Sequence, residues 1–172
     1  ASRNATIINI NSGSPQITTL PQAQSGRHWG NATVMADGRV LVSGGSAVNN
    51  AASGVAYTAE IFNPANNSWT TGPTATRMRL YHSTSLLLPD ATVVTMGGGT
   101  PGPETNLNAE VYYPPYLFNG DGTAAVRPAI TSATAVTDPG QTLSIETPDA
   151  AGIAKVSLVK TGSVTHSDDM DQ

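Results

Sequence analysis

The chain contains no cysteine, only two lysines and few charged residues of either sign. Charged side chains make up 12% of its 172 residues, and the formal net charge is -4 at pH 7. Without cysteine there is no disulfide framework, so the sequence does not indicate a redox compartment. Phosphate binding needs clustered basic residues, which argues against a nucleic-acid partner. No apolar run is long enough to span a membrane, so we expect no membrane partner either.

The abundant residue types are those of strands and turns. The chain has 17 glycines and 12 prolines, together with many threonine, valine, serine and asparagine residues. β-Branched side chains favour strands, and glycine, proline and asparagine favour the turns between them. No long segment repeats its apolar residues with a period of 3.6, as an amphipathic helix does. We therefore predict an all-β fold with very little helix.

Two similar units follow one another in the first two thirds of the chain. Each contains an arginine, an apolar strand, a tight turn, a strand ending in Gly-Gly and a further strand with Ala-Glu. The first unit has Arg27, Asp37-Gly38, Gly44-Gly45 and Ala59-Glu60, and the second has Arg79, Asp90-Ala91, Gly97-Gly98 and Ala109-Glu110. A repeat of about 50 residues with a Gly-Gly pair is typical of a kelch β-propeller blade. No helix follows the glycines, so they are not a phosphate-binding loop.

The chain changes character after Asn108. Pro114-Pro115 cannot continue a central strand, and new alternating segments begin after Arg127-Pro128. The segments 129–136, 142–147 and 153–159 are predicted to be strands of an immunoglobulin-like sandwich. We predict a partial kelch propeller of about two to three blades over 1–118, and the N-terminal part of an immunoglobulin-like domain over 119–172. Because a whole propeller needs roughly 300 residues, we expect the chain to be part of a longer protein.

Two of the three histidines stand in distinctive segments. His82 follows Tyr81 in the segment 79–90, and His166 lies in the segment 161–167. One phenol and two imidazoles form a ligand set that suits Cu(II), although a single histidine is more often structural than metal-binding. Successive side chains of a strand point to opposite faces. Tyr81 and His82 can therefore reach one metal only where the backbone turns, which we expect at a strand entrance or a loop rim.

The two units differ at the Tyr-His pair. When they are aligned on Arg27 and Arg79, Trp29 lies opposite Tyr81 and Gly30 lies opposite His82. The earlier unit thus has the same frame without the candidate ligands. The pair is not required by the repeat, which favours a functional role for it.

Both segments resemble the copper-ligand segments of the galactose oxidase and glyoxal oxidase family, the copper-radical oxidases. The resemblance implies a propeller followed by an immunoglobulin-like domain, and one bound copper ion. It also implies that Tyr81 is the axial ligand and the catalytic base, that His82 is an equatorial ligand, and that His166 is the ligand supplied by the C-terminal domain. Such enzymes are secreted, oxidise a primary alcohol, an aldehyde or a carbohydrate, and reduce O₂ to H₂O₂.

The radical cofactor of this family is a tyrosine joined to a cysteine. Since the chain has no cysteine, we expect that Tyr-Cys cofactor in an N-terminal segment of the same protein, and we expect this chain alone to be inactive. Two alternatives stay open. One is a non-enzymatic kelch scaffold that binds a carbohydrate or a protein, because a fold does not set a function. The other is a structural or cell-surface module, which the Thr/Asn-rich composition would fit. A scaffold would bind no metal and would not depend on Tyr81.

Overall fold

The computed structural model describes residues 1–160, 162–165 and 168–169. These residues form thirteen strands and two short 3-10 helical turns, Pro115–Leu117 and Ala150–Gly152. The strands are β1 (Thr6–Asn9), β2 (Gln16–Thr19), β3 (His28–Val34), β4 (Val40–Ser46), β5 (Thr58–Asn63), β6 (Ser68–Thr74), β7 (Ser83–Leu87), β8 (Val93–Gly97), β9 (Ala109–Tyr112), β10 (Ser132–Ala133), β11 (Ile145–Glu146), β12 (Val164–Thr165) and β13 (Asp168–Asp169). The prediction of an all-β fold is confirmed.

The first repeat unit forms a four-stranded antiparallel sheet in the order β3-β4-β5-β6. β3 and β4 are joined at the predicted turn, where the Gly38 amide donates to the Met35 carbonyl at 2.9 Å. β4 ends in the predicted Gly-Gly pair. Gly44 has a φ of 67°, and a Cβ atom there would lie 2.8 Å from the carbonyl oxygen of Arg79. The position thus requires glycine for two reasons, backbone conformation and the close approach of the second unit.

The second unit forms a three-stranded antiparallel sheet in the order β7-β8-β9. Its first hairpin closes at the predicted turn, where the Ala91 amide donates to Leu88 O at 2.8 Å. The inner strands of the two sheets meet through buried polar contacts. Asn31 Nδ2 donates to Ser83 Oγ at 2.9 Å, and Thr33 Oγ1 donates to Ser85 Oγ at 2.8 Å. β3 and β7 therefore lie side by side.

Each sheet contains a buried arginine, and the two arginines make equivalent ion pairs. Arg27 Nη2 lies 2.9 Å from Glu60 Oε2, and Arg79 Nη2 lies 3.1 Å from Glu110 Oε2. Burial raises the pKa of Glu110, but hydrogen bonds from Thr76 and Arg79 outweigh it and hold the pKa below its ordinary value. The second ion pair is therefore formed at neutral pH. The arginine and Ala-Glu positions of the repeat are thus structural.

The described residues divide into two compact units. One comprises Ala1–Pro114 with the described part of Val159–Gln172, and the other comprises Pro115–Leu158. The larger compact unit contains both repeat sheets, the β1-β2 hairpin and the short β12-β13 hairpin. The boundary at residue 118 and the immunoglobulin-like identity of 119–172 remain predictions. No helix among the described residues is long and apolar enough to cross a membrane.

The compact unit Pro115–Leu158 has less regular structure than the sequence predicts. Of the three predicted strands, 129–136 and 142–147 contain only the two-residue strands β10 and β11, and 153–158 forms no strand. Apolar side chains of this unit are exposed, including Val156 at 70% and Leu158 at 89%. Alternating sequences form strands when one face is buried. No residue of Pro115–Leu158 is buried, which explains why the predicted strands are short or absent.

Candidate metal centre

Four chain segments meet at one end of the two sheets. In an antiparallel sheet every second connection lies at the same end. The starts of β3 and β7 therefore share this end with the β4-β5 loop, residues 47–57, and the β8-β9 loop, residues 98–108. The opposite end carries the tight turns after β3, β5 and β7. Any site that includes the Tyr-His pair is built from these four segments.

Tyr81 and His82 form a turn directly before β7, at the strand entrance that their sequence predicts. The Ser83 amide donates to Leu80 O at 2.9 Å, and His82 adopts a left-handed backbone with a φ of 65°. Because of this turn, the two consecutive rings lie against each other, with centroids 3.7 Å apart and planes at 28°. Tyr81 is half-buried and His82 is exposed. The turn thus brings a phenol and an imidazole to one place.

A backbone carbonyl orients the His82 imidazole. Nδ1 of His82 lies 3.0 Å from the carbonyl oxygen of Thr100 in the β8-β9 loop. A carbonyl oxygen can only accept a hydrogen bond, so Nδ1 carries the proton and Nε2 carries the lone pair of the neutral ring. Metal-ligating histidines are oriented by such contacts through their other nitrogen. The His82 environment fits a metal ligand.

Trp29 lies against Tyr81 from the neighbouring sheet. The ring centroids are 4.7 Å apart in an edge-on arrangement, and Trp29 Nε1 donates to Asn49 Oδ1 at 2.9 Å. Aligning the two repeat units by sequence sets Trp29 opposite Tyr81 but does not predict the contact between them.

The strand register corrects the alignment of the two units by one residue. Gly30 pairs with Gly44, whereas Ser83 pairs with Gly97. By register Trp29 corresponds to His82, and both have a positive φ. The second repeat unit therefore holds one additional residue between its arginine and the residue that pairs with the first glycine of the Gly-Gly pair. That residue allows Tyr81 and His82 to occupy the turn together.

His166 lies outside the residues that the structure describes. Next to it in sequence, β12 and β13 pair with each other, and β12 lies against β7 while β13 lies against β3. Within the described residues, no group of three or more histidine, aspartate or glutamate side chains could hold a metal ion. The structure brings Tyr81 and His82 together, and the ligand roles of Tyr81, His82 and His166 remain predictions.

The chain is similar to galactose oxidases along its entire length. Two galactose oxidases of Gibberella zeae, one of them from strain PH-1, are 32% identical to it over 180 residues. The match covers 100% of this chain and 26% of the relatives, so the chain spans about a quarter of their length. No protein-family model matches the chain.

A solved structure shares the fold. It is a fungal alcohol oxidase of the AA5 family in complex with copper, 30% identical, with a TM-score of 0.84. The similarity covers 99% of this chain and 37% of that protein. Together with the match to galactose oxidases, this similarity confirms the resemblance seen in the sequence. Over its whole length the chain is thus similar to galactose oxidase-like proteins.

Proposed function

We propose that this chain is part of a copper-radical oxidase that converts primary alcohols or aldehydes with O₂ and releases H₂O₂. One observation carries the proposal. The turn before β7 stacks the phenol of Tyr81 on the imidazole of His82, and the Thr100 carbonyl orients that imidazole through Nδ1. The similarity to galactose oxidases and to a copper-containing alcohol oxidase supports the chemistry.

The ligands of the copper ion would be Tyr81, His82 and His166. Imidazole nitrogen and phenolate oxygen are donors that suit Cu(II). His82 would bind through Nε2, since Nδ1 is engaged by Thr100. When bound, copper would accept electrons from the substrate and lower the pKa of a coordinated hydroxyl group.

Tyr81 would act as the general base. Its Oη atom would take the hydroxyl proton of a primary alcohol, whose carbon loses a further hydrogen as the aldehyde forms. The alcohol loses two hydrogens in total and O₂ gains both, so that the products are an aldehyde and H₂O₂. The rings of Trp29 and His82 both contact the Tyr81 ring and restrict its orientation.

The radical cofactor would be formed by the rest of the protein. We place the Tyr-Cys pair outside this chain, because the chain contains no cysteine. The primary alcohol, aldehyde or carbohydrate and O₂ would be the small-molecule partners. A secreted location is also part of the proposal and rests on the family resemblance.

The complete, copper-loaded protein should release H₂O₂ from primary alcohols or aldehydes in air, whereas the 172-residue chain alone should release none. The chain lacks the cysteine of the cofactor. A peroxidase-coupled assay on both proteins, each with and without copper, measures this difference. A complete protein that neither binds copper nor releases peroxide would support the non-enzymatic scaffold, and an active isolated chain would contradict the location of the cofactor.

A further inference from the structure

One asparagine links the segments that carry Tyr81 and His82. Asn50 lies in the β4-β5 loop and is half-buried. Its Oδ1 atom accepts a hydrogen bond from the Tyr81 amide at 3.3 Å, and its Nδ2 atom donates to Pro101 O at 2.6 Å. Pro101 directly follows Thr100, whose carbonyl binds His82. A single side-chain amide thus holds the backbone at one candidate ligand and the loop that orients the other.

The β4-β5 loop, which carries Asn50, is held by its own hydrogen bonds. The Ala47 amide donates to Gly54 O at 2.8 Å, and Ser46 Oγ donates to Ser53 O at 2.8 Å. Neither bond involves Asn50, so the loop keeps these contacts when the Asn50 side chain is changed. The adjacent residue, Asn49, accepts the Trp29 hydrogen bond. The loop therefore contacts both Tyr81 and the ring that packs against it.

The β8-β9 loop approaches the Asn50 amide closely at Gly102. A Cβ atom on Gly102 would meet Asn50 Nδ2 within a distance too short for any real contact, and would lie 2.5 Å from Gly99 O. Glycine at position 102 lets the β8-β9 loop approach the asparagine. The short hydrogen bond to Pro101 depends on this approach.

We propose that Asn50 is a positioning residue of the copper site, acting on Tyr81 through its amide and on His82 through Pro101 and Thr100. This role rests on the proposed function, because it assumes that Tyr81 and His82 bind copper. Loss of a residue that orients a metal ligand typically lowers metal affinity by about ten- to a hundredfold. Asn50 should have this effect without touching the metal.

The test compares copper binding in the complete protein and three variants. Asn50→Ala removes both hydrogen bonds. Asn50→Asp keeps nearly the same shape and the acceptor for Tyr81, but it cannot donate to Pro101 and places a carboxylate against that carbonyl. Asn66→Ala is the matched control, since Asn66 is an exposed asparagine at the opposite end of the same sheet and accepts its hydrogen bond from Ser68. Copper affinity is measured by competition with a chelator, and the ligand field by electron paramagnetic resonance.

Both Asn50 variants should bind copper about ten- to a hundredfold more weakly than the wild type, with a changed copper hyperfine splitting, whereas Asn66→Ala should match the wild type. If Asn50→Ala does not fold, Asn50→Asp carries the comparison. Wild-type affinity and an unchanged spectrum in a folded Asn50 variant would overturn the positioning role alone. A wild-type protein that binds no copper would overturn the proposed function and this role with it.

Discussion

The His82→Ala variant of the complete protein should lose most of its copper, and His166→Ala should do the same. In the structure the Thr100 carbonyl lies 3.0 Å from His82 Nδ1, so His82 would bind copper through Nε2. Alanine removes this donor, and no described histidine, aspartate or glutamate forms a cluster that could replace the site. The loss should exceed the ten- to hundredfold weakening that is typical of an orienting residue. Elemental analysis after dialysis measures the bound copper.

His28→Ala is the matched control for that experiment. His28 is the exposed histidine at the start of β3, in the neighbouring sheet. Its removal changes the histidine content of the protein equally and should leave the copper content unchanged. Equal copper in the wild type, His82→Ala and His166→Ala would refute the assignment of these ligands.

Tyr81→Phe should separate catalysis from metal binding. Phenylalanine keeps the ring that stacks on His82 and contacts Trp29, and it removes only the oxygen. The two imidazoles would still supply donors for copper, so occupancy should stay near that of the wild type. Loss of a positioned general base typically costs about 10²- to 10⁴-fold in rate. Steady-state peroxide production and copper content, measured on the same preparation, give both quantities.

Tyr113→Phe serves as the control for the Tyr81 variant, since Tyr113 is 58% exposed and should affect neither quantity. Trp29 is unsuitable as a neutral control, because its ring lies against Tyr81. Full turnover in Tyr81→Phe would contradict the role of a base. Loss of copper as complete as in His82→Ala would instead make Tyr81 mainly a ligand.

The sequence predicted the parts of the fold that depend on local patterns. The turns after β3 and β7 and the strands ending in Gly-Gly follow from residue types that favour them. The turn at Tyr81-His82 was expected for another reason, because two consecutive side chains can reach one metal only where the backbone turns. Whether an alternating segment forms a full strand also depends on the burial of one of its faces. The alternating segments of 129–136 and 142–147 keep only short strands, because no residue of their unit is buried.

The environment of the site could not be predicted in the same way. Thr100 and Pro101 act through backbone carbonyls, which any residue could supply. Asn50 lies in a loop whose sequence carries no motif, and its partners are far from it in the chain. The one-residue offset between the units is invisible when they are aligned on Arg27 and Arg79, since only the strand register reveals it.

The central claim is that Tyr81, His82 and His166 hold one copper ion. Anomalous diffraction at the copper absorption edge, from crystals of the complete copper-loaded protein, tests it most directly. We expect a single strong peak within bonding distance of Tyr81 Oη, His82 Nε2 and the His166 imidazole. A peak elsewhere, or no peak beside the turn before β7, would contradict it.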